Sequence, residues 1–326
     1  MTVLVTGAAG FIGAYVAKAL SARGERVLGL DSYNDYYPVA LKRDRARALG
    51  AGSDFEIIEG DVADQGLLER IWREHAPTRV VHLAAQAGVR YSIEAPRPYV
   101  HSNLVGFLEI LEACRQHQVQ HLVCASTSSL YGQNPVQPFR EDARIDRPLS
   151  LYAATKGANE LMAHSYAHLY RIPTTALRFF TVYGPWGRPD MAPLLFTRAI
   201  LAGRPIQVFN HGQMKRDFTH VNDIVAGIIG ALDTPPAAVD EAAPYRVFNL
   251  GRGEPVDLMR FIELIEEAAG RPAERVYRDM QSGDMLETFA DVGAARAAFG
   301  YQPQTSIESG VPALVDWCRN YAWPDS

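Results

Sequence analysis

The apolar positions of the chain fall into short β-rich runs separated by stretches with helical spacing. Val3-Leu4-Val5 is the first run, and a helical pattern follows it to about Arg23. Arg26 to Leu30 reads as a second strand, Phe55 to Ile58 as a third, Val80 to Ala85 as a fourth, Leu122 to Ala125 as a fifth and Thr174 to Leu177 as a sixth. Helical spacing runs from Tyr99 to His117 and again from about Tyr152 to Tyr170. Between them, Gln86 to Pro98 has turn residues and no clear period, which predicts loop. This alternation predicts an α/β fold, a doubly wound parallel sheet of Rossmann type with right-handed crossovers. His82, interior to the fourth strand, reads as a packed core histidine.

Beyond Arg178 the pattern changes. Gly184 to Asp190 is loop, and prolines recur at Pro193, Pro205, Pro235 and Pro236. The expected organisation is a dinucleotide-binding domain over 1–180 and a smaller α/β substrate lobe over 181–326. Val221 to Leu232 and Val247 to Leu250 are expected to return to the first domain.

Composition narrows the class. With 326 residues, 48% hydrophobic and 21% charged, the chain can bury a sizeable core. A net charge of -5 argues against a global basic field for polyanions, so any phosphate recognition must be local. Cys114, Cys124 and Cys318 have no paired metal spacing, so reduced thiols and no metal site are expected. No charged leader and no apolar run of the ~18 residues that span a bilayer are evident, and a cytoplasmic enzyme is expected.

The chemistry begins at Thr6-Gly7-Ala8-Ala9-Gly10-Phe11-Ile12-Gly13, between the first strand and the first helix. A glycine turn at a helix N-terminus presents backbone N–H groups and the helix dipole to a pyrophosphate, which makes Gly7, Gly10, Phe11, Ile12 and Gly13 cofactor candidates. Asp31 ends the second strand, where a carboxylate takes both ribose hydroxyls of an adenosine and repels a 2′-phosphate; NAD is therefore favoured over NADP. Asn34 follows in a tyrosine-rich loop with Tyr33, Tyr36 and Tyr37. Asp61, in the turn Gly60-Asp61-Val62, is placed to face the adenine amino group. Leu83, Ala84 and Ala85 are small enough in aggregate to let backbone touch the cofactor, and Asn103 lies in the first turn of the next helix.

Tyr152 and Lys156 are four apart at the start of a helix and so share a face. An ammonium there, with an oxidised nicotinamide, is expected to lower the phenol pKa from its usual ~10 and make Tyr152 a base. Thr127, in Ser126-Thr127-Ser128-Ser129 at the end of the fifth strand, is placed to hold the same substrate oxygen. Arg90 is open to two readings, as a contact for an anionic substrate or as a surface arginine.

Taken together, Thr-Gly-x-x-Gly-Phe-Ile-Gly, His82-Leu83-Ala84-Ala85, Tyr-x-x-x-Lys, Arg178 to Pro185 and Arg216-Asp217-Phe218-Thr219-His220-Val221 resemble the extended short-chain dehydrogenase/reductase family, NAD-dependent epimerase/dehydratase type. The resemblance covers nearly the whole chain. Asp35-Tyr36-Tyr37, Gln86 to Ser92, Gly184 to Met191 and Lys215 to Phe218 look most like the branch that acts at C4 of UDP-glucuronic acid. The resemblance implies Thr127, Tyr152 and Lys156 as catalytic residues with NAD as cofactor. It also implies Arg216 and Lys215 on UDP phosphate, Val208-Phe209 beside uracil, and Asp284 on the nucleotide's ribose. Many relatives have an arginine near Gln281, so one phosphate contact departs from the pattern. Relatives pair through a four-helix bundle, implying a homodimer built on the helices near 99–117 and 152–170.

The resemblance also implies a particular hazard. A 4-keto uronic acid is a β-keto acid and loses CO2 when its carboxylate bond aligns with the carbonyl, so the carboxylate must be held by charge-assisted hydrogen bonds. Arg188, Thr181, Ser128 and Ser129 are the candidates. Dehydratases carry Asp-Glu after the catalytic Thr and decarboxylases carry a nearby Glu; here Ser128-Ser129-Leu130-Tyr131 follows, which leaves epimerisation between UDP-glucuronic and UDP-galacturonic acid. Two other readings share these residues: epimerisation of a neutral UDP-hexose or UDP-pentose, and a non-catalytic NAD-sensing binding protein.

Overall fold

A computed structural model describes residues 1–50, 55–237, 240–280 and 285–323. In chain order the first half runs β1 (Thr2–Thr6), α1 (Phe11–Ala22), β2 (Arg26–Asp31), α2 (Val39–Gly50), β3 (Phe55–Glu59), α3 (Gln65–His75), β4 (Arg79–His82), α4 (Tyr91–Glu94), α5 (Pro96–Tyr99), a π-helical turn (Val100–Val105), α6 (Gly106–Gln116) and β5 (His121–Thr127). Then come a 3-10 turn (Ser128–Tyr131), α7 (Leu151–Tyr170), β6 (Thr174–Phe179), β7 (Thr181–Tyr183), α8 (Ala192–Leu201), β8 (Ile206–Phe209), β9 (Lys215–Arg216), β10 (Phe218–His220), α9 (Val221–Asp233) and β11 (Tyr245–Leu250). The chain closes with β12 (Val256–Asp257), α10 (Leu258–Ala269), β13 (Arg275–Arg278), β14 (Glu287–Thr288), α11 (Gly293–Phe299) and α12 (Ile307–Asn320).

Seven parallel strands form the central sheet in the order β3-β2-β1-β4-β5-β6-β11. The order reverses between β1 and β4, the switch point beside which open α/β sheets bind ligands. Strands β1, β4 and β5 are buried almost throughout, as parallel strands covered on both faces must be. One apolar core lies between the sheet and α1 and α9, with Val16, Leu20, Ile224 and Ile228. A second lies on the α3 and α6 side, with Leu68, Ile71, Phe107 and Ile110. β11, from beyond residue 240, pairs with β6 along its full length and so belongs to this sheet.

The small lobe packs α8, α10 and α12 around Phe218, Phe261, Leu194 and Val311. Two elements differ from the sequence pattern in extent. β4 stops at His82, so Leu83 to Ala85 lies just past the sheet edge, whereas β5 continues to Thr127. The stretch 86–98 is not plain loop: α4 and α5 form there because the Tyr99 hydroxyl donates to the carbonyls of Ala87 and Gly88, 3.1 and 2.5 Å away, and ties both ends. His82 is buried in the core, its Nδ1 2.8 Å from Thr6 Oγ1 and its ring tilted on Phe107. No helix among the described residues is long and apolar enough to cross a membrane.

Candidate active site

A groove of about 350 Å³ opens at the carboxyl ends of β1, β2, β4 and β5. Its floor is the glycine turn. Gly7 has φ +70°, and a Cβ there would lie 2.8 Å from Ala84 N; at Gly13 it would lie 2.0 Å from Gly7 O. Side chains at either position would push the turn off the strand or off α1. Gly10 caps α1 with no side-chain hydrogen bond, so the first N–H groups of the helix, at Phe11 and Ile12, remain available to an anion in the groove.

At the adenosine end, Asp31 accepts from Ala9 N through Oδ2 and from Tyr33 N through Oδ1, both at 2.9 Å, which fixes its carboxylate beside the turn. Asn34 is held by Lys42, whose Nζ donates to its carbonyl and Oδ1 at 2.5 and 2.7 Å. Asp61 accepts from Ala63 N and faces His101 Nε2, each at 2.9 Å. Asp31, Asn34, Asp61, Val62, Leu83, Ala84 and Ala85 all line the groove. Asn103 does not. It sits behind the wall with its amide spent on Gln86 N, Gln86 O and Thr155 Oγ1, and so shapes the Leu83 to Ala87 path through the backbone.

Thr127, Tyr152 and Lys156 meet in the middle of the groove. The first ends β5; the other two stand on the first turns of α7, whose N-cap Ser150 accepts from Ala153 N at 3.1 Å. Lys156 is buried, and burial pushes its ammonium down to about 8, against the opposing pull of Cys124 and Glu160. Tyr152 departs from expectation. Burial raises its phenol above the ordinary value, hydrogen bonding with Thr127 and the Arg188 charge pull it back, and Lys156 is not among the influences.

The same groove wall carries Ser128, Ser129, Thr181 and Arg188. Arg188 donates to Asp190 through Nε at 3.1 Å and Nη2 at 2.5 Å, and Tyr36 donates to the same carboxylate at 2.9 Å. Burial disfavours the guanidinium charge, but Asp190 outweighs it and leaves the group firmly cationic.

The remaining expected contacts lie outside the groove wall. The Arg90 guanidinium stacks 5.1 Å over the Phe209 ring, joining the 86–98 stretch to the small lobe. Val208 is fully buried in the small-lobe core. Lys215 and Arg216 form β9, the middle strand of the sheet β12-β9-β14, with Lys215 3.9 Å from Asp257. Asp284 and Gln281 lie outside the described residues. Lys42 lines the groove without having been singled out in the sequence, and Tyr36, Gln86, Phe180 and Met191 line it as members of stretches that were given no site role. One signal was legible for Lys42: it shares with Leu41, Arg45 and Leu49 the buried face of α2, where cations are out of place.

A parallel sheet with this switch point, a glycine turn on β1 and a Thr, Tyr and Lys converging beside it define an extended short-chain dehydrogenase/reductase. The chain belongs to the NAD dependent epimerase/dehydratase family, whose model matches residues 3–251. It is 49% identical to Protein CapI of Staphylococcus aureus, over 98% of this chain and 99% of that one, and 48% identical to UDP-glucuronate 4-epimerase 2 of Arabidopsis thaliana, over 98% and 76%. Among solved structures it superimposes on the UDP-glucuronic acid 4-epimerase from Bacillus cereus in complex with UDP-glucuronic acid and NAD, with a TM-score of 0.89, 33% identity, and coverage of 98% and 99%.

Proposed function

We infer that the protein is an NAD-dependent 4-epimerase that interconverts UDP-glucuronic acid and UDP-galacturonic acid through a 4-keto intermediate. The observation that carries this reading is the convergence, in one groove, of Thr127, Tyr152 and Lys156 with a wall of hydroxyls and one guanidinium, Arg188.

NAD fits the groove. The uncapped N-terminus of α1 would hold the diphosphate through the N–H groups near Gly10 to Gly13, Asp31 would hold the ribose, and Asp61 would hold the adenine. When bound, NAD accepts the C4 hydride and returns it, and its cationic ring offsets the burial that raises the phenol. Tyr152 takes the C4 hydroxyl proton while Thr127 holds the same oxygen, and Lys156, in the same groove, would hold the cofactor's ribose. The sugar then turns about its diphosphate link, Tyr152 gives the proton back, and the inverted alcohol leaves. Arg188, Thr181, Ser128 and Ser129 hold the C5 carboxylate out of alignment with the C4 carbonyl. Arg216, Lys215, Val208, Phe209, Arg90 and Asp284 are assigned to the UDP end.

In this reading residues 1–180, with 221–250, serve the cofactor, and the rest of 181–326 serves the sugar nucleotide. A homodimer through α6 and α7 is part of the proposal, supported by exposed Val105, Leu108, Leu161, Leu169 and Tyr170 on those two segments. A cytoplasmic location is proposed on the strength of three buried, unpaired cysteines.

The test is conversion of UDP-glucuronic acid by NAD-loaded protein, followed by chromatography. UDP-galacturonic acid is the expected product. Faster turnover of UDP-glucose than of the acid would replace this reading with the neutral-sugar one, and no turnover of either would leave only a binding protein.

A further inference from the structure

Arg45 has no exposed surface. Its Nη1 donates to Ala9 O at 2.7 Å and to the Tyr37 hydroxyl at 3.0 Å, its Nε to Trp186 O at 2.9 Å and its Nη2 to Gly187 O at 3.3 Å. None of these four partners is a carboxylate. A buried guanidinium held only by neutral acceptors is costly, and an apolar side chain at this face of α2 would pack more cheaply. What the fork achieves is geometric: it joins two segments that approach the groove from opposite sides.

One segment is the glycine turn. Ala9 is gripped at both ends, its N–H by Asp31 and its carbonyl by Arg45. The other is the loop after β7. There three successive carbonyls, of Pro185, Trp186 and Gly187, accept from Tyr15 on α1 and from Arg45 on α2. Trp186 has φ +62°, a left-handed conformation that a bulky residue adopts only under external support. Its ring lies against Trp317 and Tyr321, and the Tyr321 hydroxyl returns to Asp44, next to Arg45, at 2.8 Å. The same loop goes on to Arg188 and Met191, both in the groove wall.

We propose that Arg45 is a positioning residue that locks the glycine turn and the 184–191 loop into one unit, so that the dinucleotide and the sugar nucleotide bind cooperatively. The proposal rests on the reading that the groove holds both. An anion settling on the turn supplies the counter-charge that Arg45 lacks, and the stiffened turn then holds the loop that carries Arg188. By reciprocity, sugar held at Arg188 must tighten binding of the dinucleotide, and this is expected to show as slower release.

The experiment measures NAD release from holoenzyme with and without saturating UDP-glucuronic acid, in the wild type, Arg45→Lys and Tyr15→Phe. In the wild type the sugar nucleotide is expected to slow release about tenfold or more. Arg45→Lys keeps the charge but loses the fork; its ratio is expected to fall toward one. Tyr15→Phe, which removes only the bond to Pro185, is expected to fall between. A wild-type ratio of one overturns the proposal, as does a wild-type ratio retained in the variants even where NAD affinity drops, which would make Arg45 a local structural residue. If Arg45→Lys does not fold, Tyr15→Phe decides by the same ratio. Turnover of UDP-glucuronic acid by the wild type, measured alongside, reports on the functional reading separately.

Discussion

Glu160 lies one helical turn beyond Lys156, and its carboxylate takes the Ser126 hydroxyl at 2.5 Å and two arms of Arg178 at 2.8 and 2.7 Å. Ser126 immediately precedes Thr127, so this buried cluster ties the end of β5 to the helix that carries Tyr152 and Lys156. Arg178 extends the tie to the Tyr131 hydroxyl at 2.9 Å, which in turn donates to Asn249 of β11 at 2.6 Å. Glu160→Ala strands a buried guanidinium and is expected to cost about 3–5 kcal/mol in urea unfolding. Ser126→Ala removes one hydrogen bond to a charged group and is expected to cost about 1.5–3 kcal/mol. Equal, small losses for both would show that the cluster is solvated.

Tyr152→Phe is expected to lower turnover of UDP-glucuronic acid by about a hundredfold or more, the range in which a lost acid-base group falls. Thr127→Val should lower it less, since the base remains. Stopped turnover with normal melting of both variants is the expected pattern; undiminished conversion by Tyr152→Phe would remove the phenol from the mechanism.

The Arg188–Asp190 pair makes opposite predictions for its two members. Arg188→Ala should depress activity on UDP-glucuronic acid far more than on UDP-glucose, and should release a decarboxylated pentose product visible by mass spectrometry. Asp190→Asn frees the guanidinium from its competitor and should lower KM for the acid. Equal losses on acid and neutral sugar in Arg188→Ala would withdraw the carboxylate role.

Acid should destabilise the protein through two buried imidazoles. Burial pushes His82 down to about 3 and His121 to about 4 from an ordinary 6.5. Below pH 6.5 the unfolded chain binds protons that the folded chain refuses, so stability falls as pH drops, from about 6.5 toward 4 for both and on toward 3 for His82. The slope should approach about 1.4 kcal/mol per pH unit for each histidine. Urea unfolding at pH 7, 6 and 5 checks this, and His121→Gln should remove one share of the slope. A flat profile would mean that these rings are protonated within the fold.

The two interface helices offer a last check on assembly. Leu161→Glu with Leu169→Glu should turn a dimer into a monomer on light scattering without loss of helix content. A monomeric wild type would end the proposal.

Much of the architecture was legible from local pattern. Apolar runs separated by helical spacing place six strands of the sheet, and the glycine spacing from Gly7 to Gly13 places a helix N-terminus beside β1, because side-chain period and backbone sterics act over a few residues. The fork of Arg45 and the Asp190 partner of Arg188 were not legible, since a cation on a helix or loop reads as surface until distant segments bury it; for Lys42 only its place on the apolar face of α2 was, not its hold on Asn34. The helices in 86–98 lack a clear period because they are short, and the phenol that ends α5 ties them back to Ala87 and Gly88. The state of Tyr152 was not legible either: its four-residue spacing from Lys156 is local and was visible, but whether its phenol is charged depends on desolvation by the whole groove, and that sums over neighbours far apart in the chain. Sequence alone determined which groups arrive at the groove; the tertiary structure decided which of them are neutralised, buried or tied down, because burial and charge are properties of a packed surrounding and not of a period.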